Sequence, residues 1–597
     1  MKQFFKFMFA SMLGFVLSGL VLLFLAIGIV AAVVSGEKDE KNLVVKDNSV
    51  LYISFPNGVV DQGSDNPFES FDFNTFQSKK STNLKDVLDN LDKAAKDDKI
   101  KGIYLELAGA GMELANLDEV RNGLLKFKES GKFIISYNEM YGQGGYYLSS
   151  VADKVYLYPE GDLDFKGLMT ELAFFKGTLE KLDVEMQIIR GRNNKFKSAV
   201  EPFMYDKMSD ANRKQVTSFL NSIWGEWLTN ISASRNIDIA RLNQIADSME
   251  TVMPKDALNA GLLDGLLYSD QVMDTLRGRL GIDAKDEIEF VSLSKYDRAP
   301  EKFDSDKPKP WEMKDKIAVI YAAGEIRSGK SDGETMGSET IAKAIKDARK
   351  DSTIKAIVLR VNSPGGSALA SDVMWRETQL AKEAKPLVVS MGGLAASGGY
   401  YIACGADRIF AGPNTITGSI GVFGMMPYMG EFFKNKFGVT FDGVGTNANS
   451  NAGVFSRKLT DYQYTKIQMS VEKIYDSFTM KVANGRGLTQ AEVDSIGQGR
   501  VWTGKEALEI GLVDELGGLE DAIAYAASKA GIANYRLKTF PEKQDPMEAL
   551  IKGLSGESTE LFVKWKFGED YQYYKSFKTL TENSGILARM PFDLKVR

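Results

Sequence analysis

A serine set among small residues is the first place where this chain could do chemistry. In SMGGLAASGGYYIACGADRIF, residues 390–410, an apolar run at 387–389 enters a loop of glycines and alanines, and a helical pattern starts at Gly398 and Gly399. That order reads as strand, turn, helix, with Ser397 where the helix begins. Small neighbours let another backbone come close, and the N–H groups of a helix start can hold an anion. Both are conditions for a nucleophile. The alternative is a serine that only caps its helix. A second stretch bears on that choice. The strand-like run IVLRV at 357–361 ends in NSPGGS, 362–367, whose Pro364-Gly365-Gly366 turn can present a backbone N–H beside Ser397. Two such loops, each giving one oxyanion donor, are what acyl transfer needs.

The chain contains no histidine. A Ser-His-Asp triad, His-ligated zinc and a histidine general base are therefore excluded. A serine nucleophile must use another base, and lysine is the usual one. The single cysteine, Cys404, lies three residues past Tyr401 in an apolar helix and reads as a small core residue. No metal site and no cofactor is expected.

The elements that carry these residues occur twice. Shifting the sequence by 254 positions lays QGGYYLSSVADKVY (143–156) on SGGYYIACGADRIF (397–410), and it brings Ile103 to Leu107 onto Ile357 to Val361. Near the ends of the units, Ala257, Gly261 and Asp264 meet Ala507, Gly511 and Asp514. The chain is a tandem duplication. Each unit alternates apolar strands with amphipathic helices, such as 340–349 ahead of the strand at 354, so the fold class is α/β. The expected boundaries are 45–294 and 317–540, joined by a linker at 295–316 that carries Pro300, Pro308 and Pro310 among charges. An extension at 541–597, rich in Tyr, Phe and Lys, is expected to pack on the second unit or on an oligomer partner.

The copies have diverged where chemistry is at stake. Ser397 corresponds to Gln143, and Gly365 and Gly366 correspond to Gly111 and Met112, so the first copy cannot run the same reaction. It keeps something else: RGRNNKFKSAVEPF, 190–203, a strand end and a polar loop with Lys195 and Lys197, where the second copy has no lysine until 458. The competing reading of both lysines is a solvated basic loop.

Ahead of the units, residues 7–36 contain no charge and 8–34 are nearly all apolar, longer than the ~20 residues a membrane helix requires. Lys2 and Lys6 precede this span and mixed charges follow at 37–41, which places the N-terminus in the cytoplasm and the units outside it. The run exceeds the roughly 7–15 residues of a signal-peptide core, so residues 1–44 are expected to form an uncleaved anchor. A net charge of −6 gives no footprint for nucleic acid.

SMGGLAASGGYY, NSPGGS, TGSIGVFG (417–424) and KSAVEPF (197–203) together resemble the signal peptide peptidase SppA (protease IV) family in its long, duplicated form. The resemblance covers the anchor, both units and the linker. It implies two units with a fold similar to Clp protease and crotonase, and a Ser-Lys dyad in which Ser397 comes from the second unit and Lys197 from the first. It also implies Ser419 as the residue orienting the lysine, with the N–H of Gly398 and of the Gly-Gly turn, at Gly366 or Gly365, as oxyanion donors. The implied substrates are apolar remnants of signal peptides. The implied setting is the inner (cytoplasmic) membrane, with the catalytic units periplasmic or extracytoplasmic and the chain a homotetramer. Two other readings use the same scaffold: a crotonase-type acyl-CoA enzyme, and a catalytically inactive membrane scaffold.

Overall fold

A computed structural model describes residues 2–36, 44–63, 71–72, 77–78, 81–108, 111–300, 309, 312–331, 335–542 and 585–590. The first helix, α1 (Lys2–Gly36), covers the apolar N-terminal stretch. Its side chains from residue 22 onward lie outside the described residues, and among the described residues no helix is long and apolar enough to cross a membrane. Residues 301–308 and 310–311 of the expected linker and most of the C-terminal extension also lie outside them.

The first unit builds β1 (Ser49–Ile53), β2 (Ile100–Leu105), α2 (Leu114–Lys128), β3 (Phe133–Tyr141), α3 (Gln143–Ser149), β4 (Lys154–Leu163), β5 (Glu185–Arg190), α4 (Asp210–Arg235), β6 (Gly265–Leu266) and β7 (Phe290–Ser292). Its sheet has the order β6-β4-β3-β2-β1-β7, and every pairing is parallel. The second unit builds β8 (Lys316–Ala323), β9 (Glu325–Arg327), β10 (Thr335–Gly337), α5 (Ser338–Lys350), β11 (Ile354–Ser363), β12 (Gly365–Ser367), β13 (Leu387–Ala396), α6 (Gly398–Ala403), β14 (Arg408–Ala411), β15 (Ile416–Gly418), β16 (Phe423–Tyr428), β17 (Val501–Thr503), β18 (Glu515–Leu516) and β19 (Arg536–Phe540). Its strands repeat the same order as β18-β14-β13-β11-β8-β19, again parallel. The duplication seen in sequence is thus a duplication of topology.

The local reasons are ordinary. β11, IKAIVLRVNS, is buried at nearly every position, as parallel strands covered on both faces are. Helix α5 buries Ile341, Ala344, Ile345 and Ala348, one stripe at helical spacing, and turns its charges outward.

The units are locked together by buried polar contacts as well as apolar ones. Arg360 of β11, fully buried, pairs with Asp61 and Glu119 of the first unit, each at 2.7 Å, and donates to Ser390 Oγ at 2.8 Å. Asn414 donates to both oxygens of Asp118, at 3.1 and 2.9 Å, and burial pushes the Asp118 carboxyl up to about 7. A further sheet crosses between the units. Its order is β10-β9-β12-β20-β16-β5, where β5 comes from the first unit and β20 (Gly585–Arg589) from the C-terminal extension.

Arg360→Leu leaves two buried carboxylates without a cation. It is expected to cost about 3–5 kcal/mol, read as a lower urea midpoint. Adding Asp61→Asn and Glu119→Gln is expected to recover most of the loss; an unchanged midpoint for Arg360→Leu would show that the triad contributes nothing.

Candidate active site

Strand β13 delivers Ser397 to the site and α6 starts immediately after it. The serine has φ 55° and ψ −111°, a region that side-chain-bearing residues seldom enter and that costs of order 1–3 kcal/mol. The surroundings hold it there: Ser397 N–H donates to Gly418 O at 2.8 Å, and Tyr401 N–H donates to Ser397 O at 2.8 Å. The glycines beside it are required by space. A Cβ at Gly398 would stand 2.6 Å from Ser371 Oγ, and one at Gly399 would stand 2.8 Å from Ser363 O.

Lys197 reaches this serine from the other unit. The loop that follows β5 is tied to the second unit by Phe196 N–H, which donates to Gln498 O at 2.9 Å. Gln215 of α4 donates to Phe196 O at 3.1 Å and to Ser198 Oγ at 2.8 Å, and it accepts from Val501 N–H at 3.3 Å. So held, Lys197 is fully buried, with Nζ donating to Ser397 Oγ at 2.9 Å, Ser419 Oγ at 3.0 Å and Ser419 O at 3.2 Å. These acceptors are uncharged oxygens. Burial therefore lowers the pKa of Lys197 well below its ordinary value. Lys195, two residues away, is exposed, with its ammonium 5.4 Å from the Phe196 ring centroid.

Ser419 also has positive φ, 49°, and its N–H donates to Arg500 O at 2.7 Å. The Gly-Gly turn becomes β12. Gly366 pairs with Ile326, whose carbonyl would lie 2.1 Å from a Cβ at that position. A Cβ at Gly365 would lie 2.7 Å from Gly398 N, so the two loops expected to share an oxyanion do meet. The N–H of Gly365 donates to Ser363 Oγ at 3.1 Å. Cys404 is buried, its thiol is pushed up to about 12 by burial, and it donates to Tyr401 O at 3.2 Å, as a core residue would.

The equivalent place in the first unit is plugged. Gln143, where the serine would be, accepts from Lys166 N–H and Gly167 N–H at 3.1 and 3.0 Å and donates to Gly167 O at 2.9 Å. The residue before it, Gly142, has φ −70°, and Gln143 is not among the strained positions. The copy with glutamine at this position also lacks the strained turn. Sequence reasoning did not foresee Gln215 or Gly499. A Cβ at Gly499 would stand 2.5 Å from Lys197 Cβ and 2.7 Å from Lys197 N, so the lysine loop seats only on a glycine; the one signal was the glycine-rich GQGR at 497–500.

A family model described as peptidase family S49 matches residues 126–283 and 379–533, once in each unit. The chain belongs to peptidase family S49. Lys197 lies inside the first S49 match and Ser397 inside the second. Among relatives, Protease 4 of Salmonella typhi is 37% identical over 482 residues, covering 79% of this chain and 76% of its own. Protease 4 of Haemophilus influenzae is 36% identical over 498 residues, covering 80% and 79%. The chloroplastic serine protease SPPA of Arabidopsis thaliana is 32% identical over 521 residues, covering 85% and 74%. This S49 member is a serine peptidase, which displaces the acyl-CoA and inactive-scaffold readings.

Gly499→Ala is expected to push the lysine loop away and to lower peptide hydrolysis about 100-fold, the scale of a catalytic group misplaced by an ångström. Native-level hydrolysis by Gly499→Ala would show that the loop tolerates the shift.

Proposed function

We propose that the chain is a membrane-anchored serine endopeptidase in which Ser397 and Lys197 form a catalytic dyad that degrades apolar peptides, remnants of signal peptides among them. The observation that carries this reading is the buried amine of Lys197, 2.9 Å from Ser397 Oγ and without a carboxylate partner among its hydrogen bonds. A neutral amine has two N–H donors and one lone pair. In the reactive form the donors serve Ser419 O and Oγ, and the lone pair faces Ser397.

Ser397 Oγ attacks the scissile carbonyl while its proton passes to Lys197 Nζ. The oxyanion is taken by the N–H of Gly398 together with a second N–H from the Gly365-Gly366 turn. Collapse of the tetrahedral intermediate breaks the C–N bond, and Lys197 returns the proton to the leaving amine. Water then repeats the sequence on the acyl-enzyme. Ser419 orients the amine throughout.

The apolar N-terminal stretch, with Lys2 and Lys6 before it, supports an anchor in the inner (cytoplasmic) membrane with the N-terminus cytoplasmic and the units periplasmic. Apolar peptides released in the bilayer are the substrates within reach of such an anchor. Assembly as a homotetramer is the family-based part of the proposal.

Ser397→Ala and Lys197→Ala are each expected to lower hydrolysis of an unstructured apolar peptide by about 10³-fold or more, whereas Lys195→Ala keeps most of it. A larger loss from Lys195→Ala would refute the assignment of the base.

The pH profile follows from the direction of the shift. Only neutral Lys197 accepts a proton, so activity is expected to rise from about pH 6 toward about pH 9 and then level off. Between its lowered folded pKa and its unfolded value, the folded chain binds fewer protons at Lys197, so this group's contribution to stability also rises with pH. A flat rate over that range would remove Lys197 as the base.

A further inference from the structure

The sheet that crosses the units contains a strand that neither unit supplies. β20 lies between β12, the Gly-Gly strand, and β16, the strand downstream of Ser419. Neighbouring strands lie about 4.8 Å apart, so β12 and β16 are held roughly two spacings apart, leaving a slot for one extended chain. The chain's own residues 585–590 fill it.

The seating is that of a bound peptide. β20 is antiparallel to both neighbours, with Leu587 opposite Ser367 and Phe423, Ala588 opposite Gly366, and Arg589 opposite Gly365. Met590 N–H donates to Pro364 O at 2.6 Å. Gly365 is the end of β12 that meets Gly398, so the strand runs with its C-terminal end toward Ser397. That is the polarity of the acyl side of a substrate. Met590 is 2% exposed, within an apolar cluster that holds Ala396, the residue before the serine, together with Ile416 and Val501. Arg589 Nε lies 3.5 Å from Glu325 Oε1.

We propose that residues 585–590 are a tethered, substrate-like ligand of the active site, which incoming peptides must displace. This rests on the reading of Ser397 as nucleophile. The segment takes the positions of residues on the acyl side of a scissile bond, with Met590 in the place next to that bond. The site accordingly favours extended peptides that place apolar residues where Leu587 and Met590 sit and a basic residue between them. In the sequence Met590 is followed by a proline, which favours an extended backbone at Met590. Tethering puts it at an effective concentration of the order of millimolar.

The test uses the full chain and its Leu587→Asp/Met590→Asp variant, with a chain ending at Ser584 as a second form. Freed of the segment, both altered forms are expected to hydrolyse a short fluorogenic peptide with KM at least about 5-fold lower and kcat within about 2-fold, as removal of a tethered competitor predicts. A synthetic peptide of residues 583–592 is expected to inhibit them competitively. A fluorescent form of that peptide is expected to bind the double variant carrying Ser397→Ala and not the Ser397→Ala chain with its native tail. Binding by anisotropy needs no catalysis, so inactivity of every form would count against the dyad alone. Unchanged KM in both altered forms, or failure of the peptide to bind the double variant, would overturn the proposal.

Discussion

A lysine amine buried without a carboxylate is the constraint on which this structure turns. At pH 7 a lysine with its ordinary pKa is neutral only about once in 2,500 molecules. Water stabilises the ammonium, so a base of this type works only where water is removed and no anion replaces it. The protein meets both conditions by making the site from two bodies. Lys197 arrives on a loop of the first unit, and the second unit closes over it with Gln498, Gly499 and Ser419. A Cβ at Gly499 has no room, which measures how closely the lysine is enclosed.

That enclosure depends on the units staying docked, and much of the remaining polar design does this. Arg360 with Asp61 and Glu119, Asn414 with Asp118, and Asn362 with Glu113 at 2.6 Å all cross the boundary. A buried ionic set such as that of Arg360 contributes little net stability over apolar packing, but it penalises any register that leaves one of its charges unpaired. Register matters here, because a shift of an ångström separates an amine from its serine. Duplication gave two copies of one scaffold, and each then lost what the other kept. Gln143 ties down its loop through the backbone N–H groups of Lys166 and Gly167, and the strain at Ser397 has no counterpart at Gln143 in the first unit.

Much of this was legible in the sequence. The duplication and the α/β class follow from apolar runs at a fixed offset, which local chemistry sets. Ser397 was marked by small residues around it, and the missing histidine turned attention to lysines. The choice of Lys197 over Lys195 came only from the resemblance to a family; burial of the one and exposure of the other depend on contacts between residues some two hundred positions apart. Gln215, Gly499 and the placement of residues 585–590 are long-range in the same sense. No local pattern in GILARM says that it will pair with a strand more than two hundred residues earlier.

The central claim is that Lys197 is an uncharged amine when the protein is at work. It is tested most directly by titrating the full-length protein labelled with ¹³C at lysine Cε, with the Lys197 signal identified by its loss in Lys197→Arg. The account predicts that this signal titrates with a midpoint well below that of the rest of the lysines. A midpoint near the ordinary lysine value of about 10.4 would contradict it.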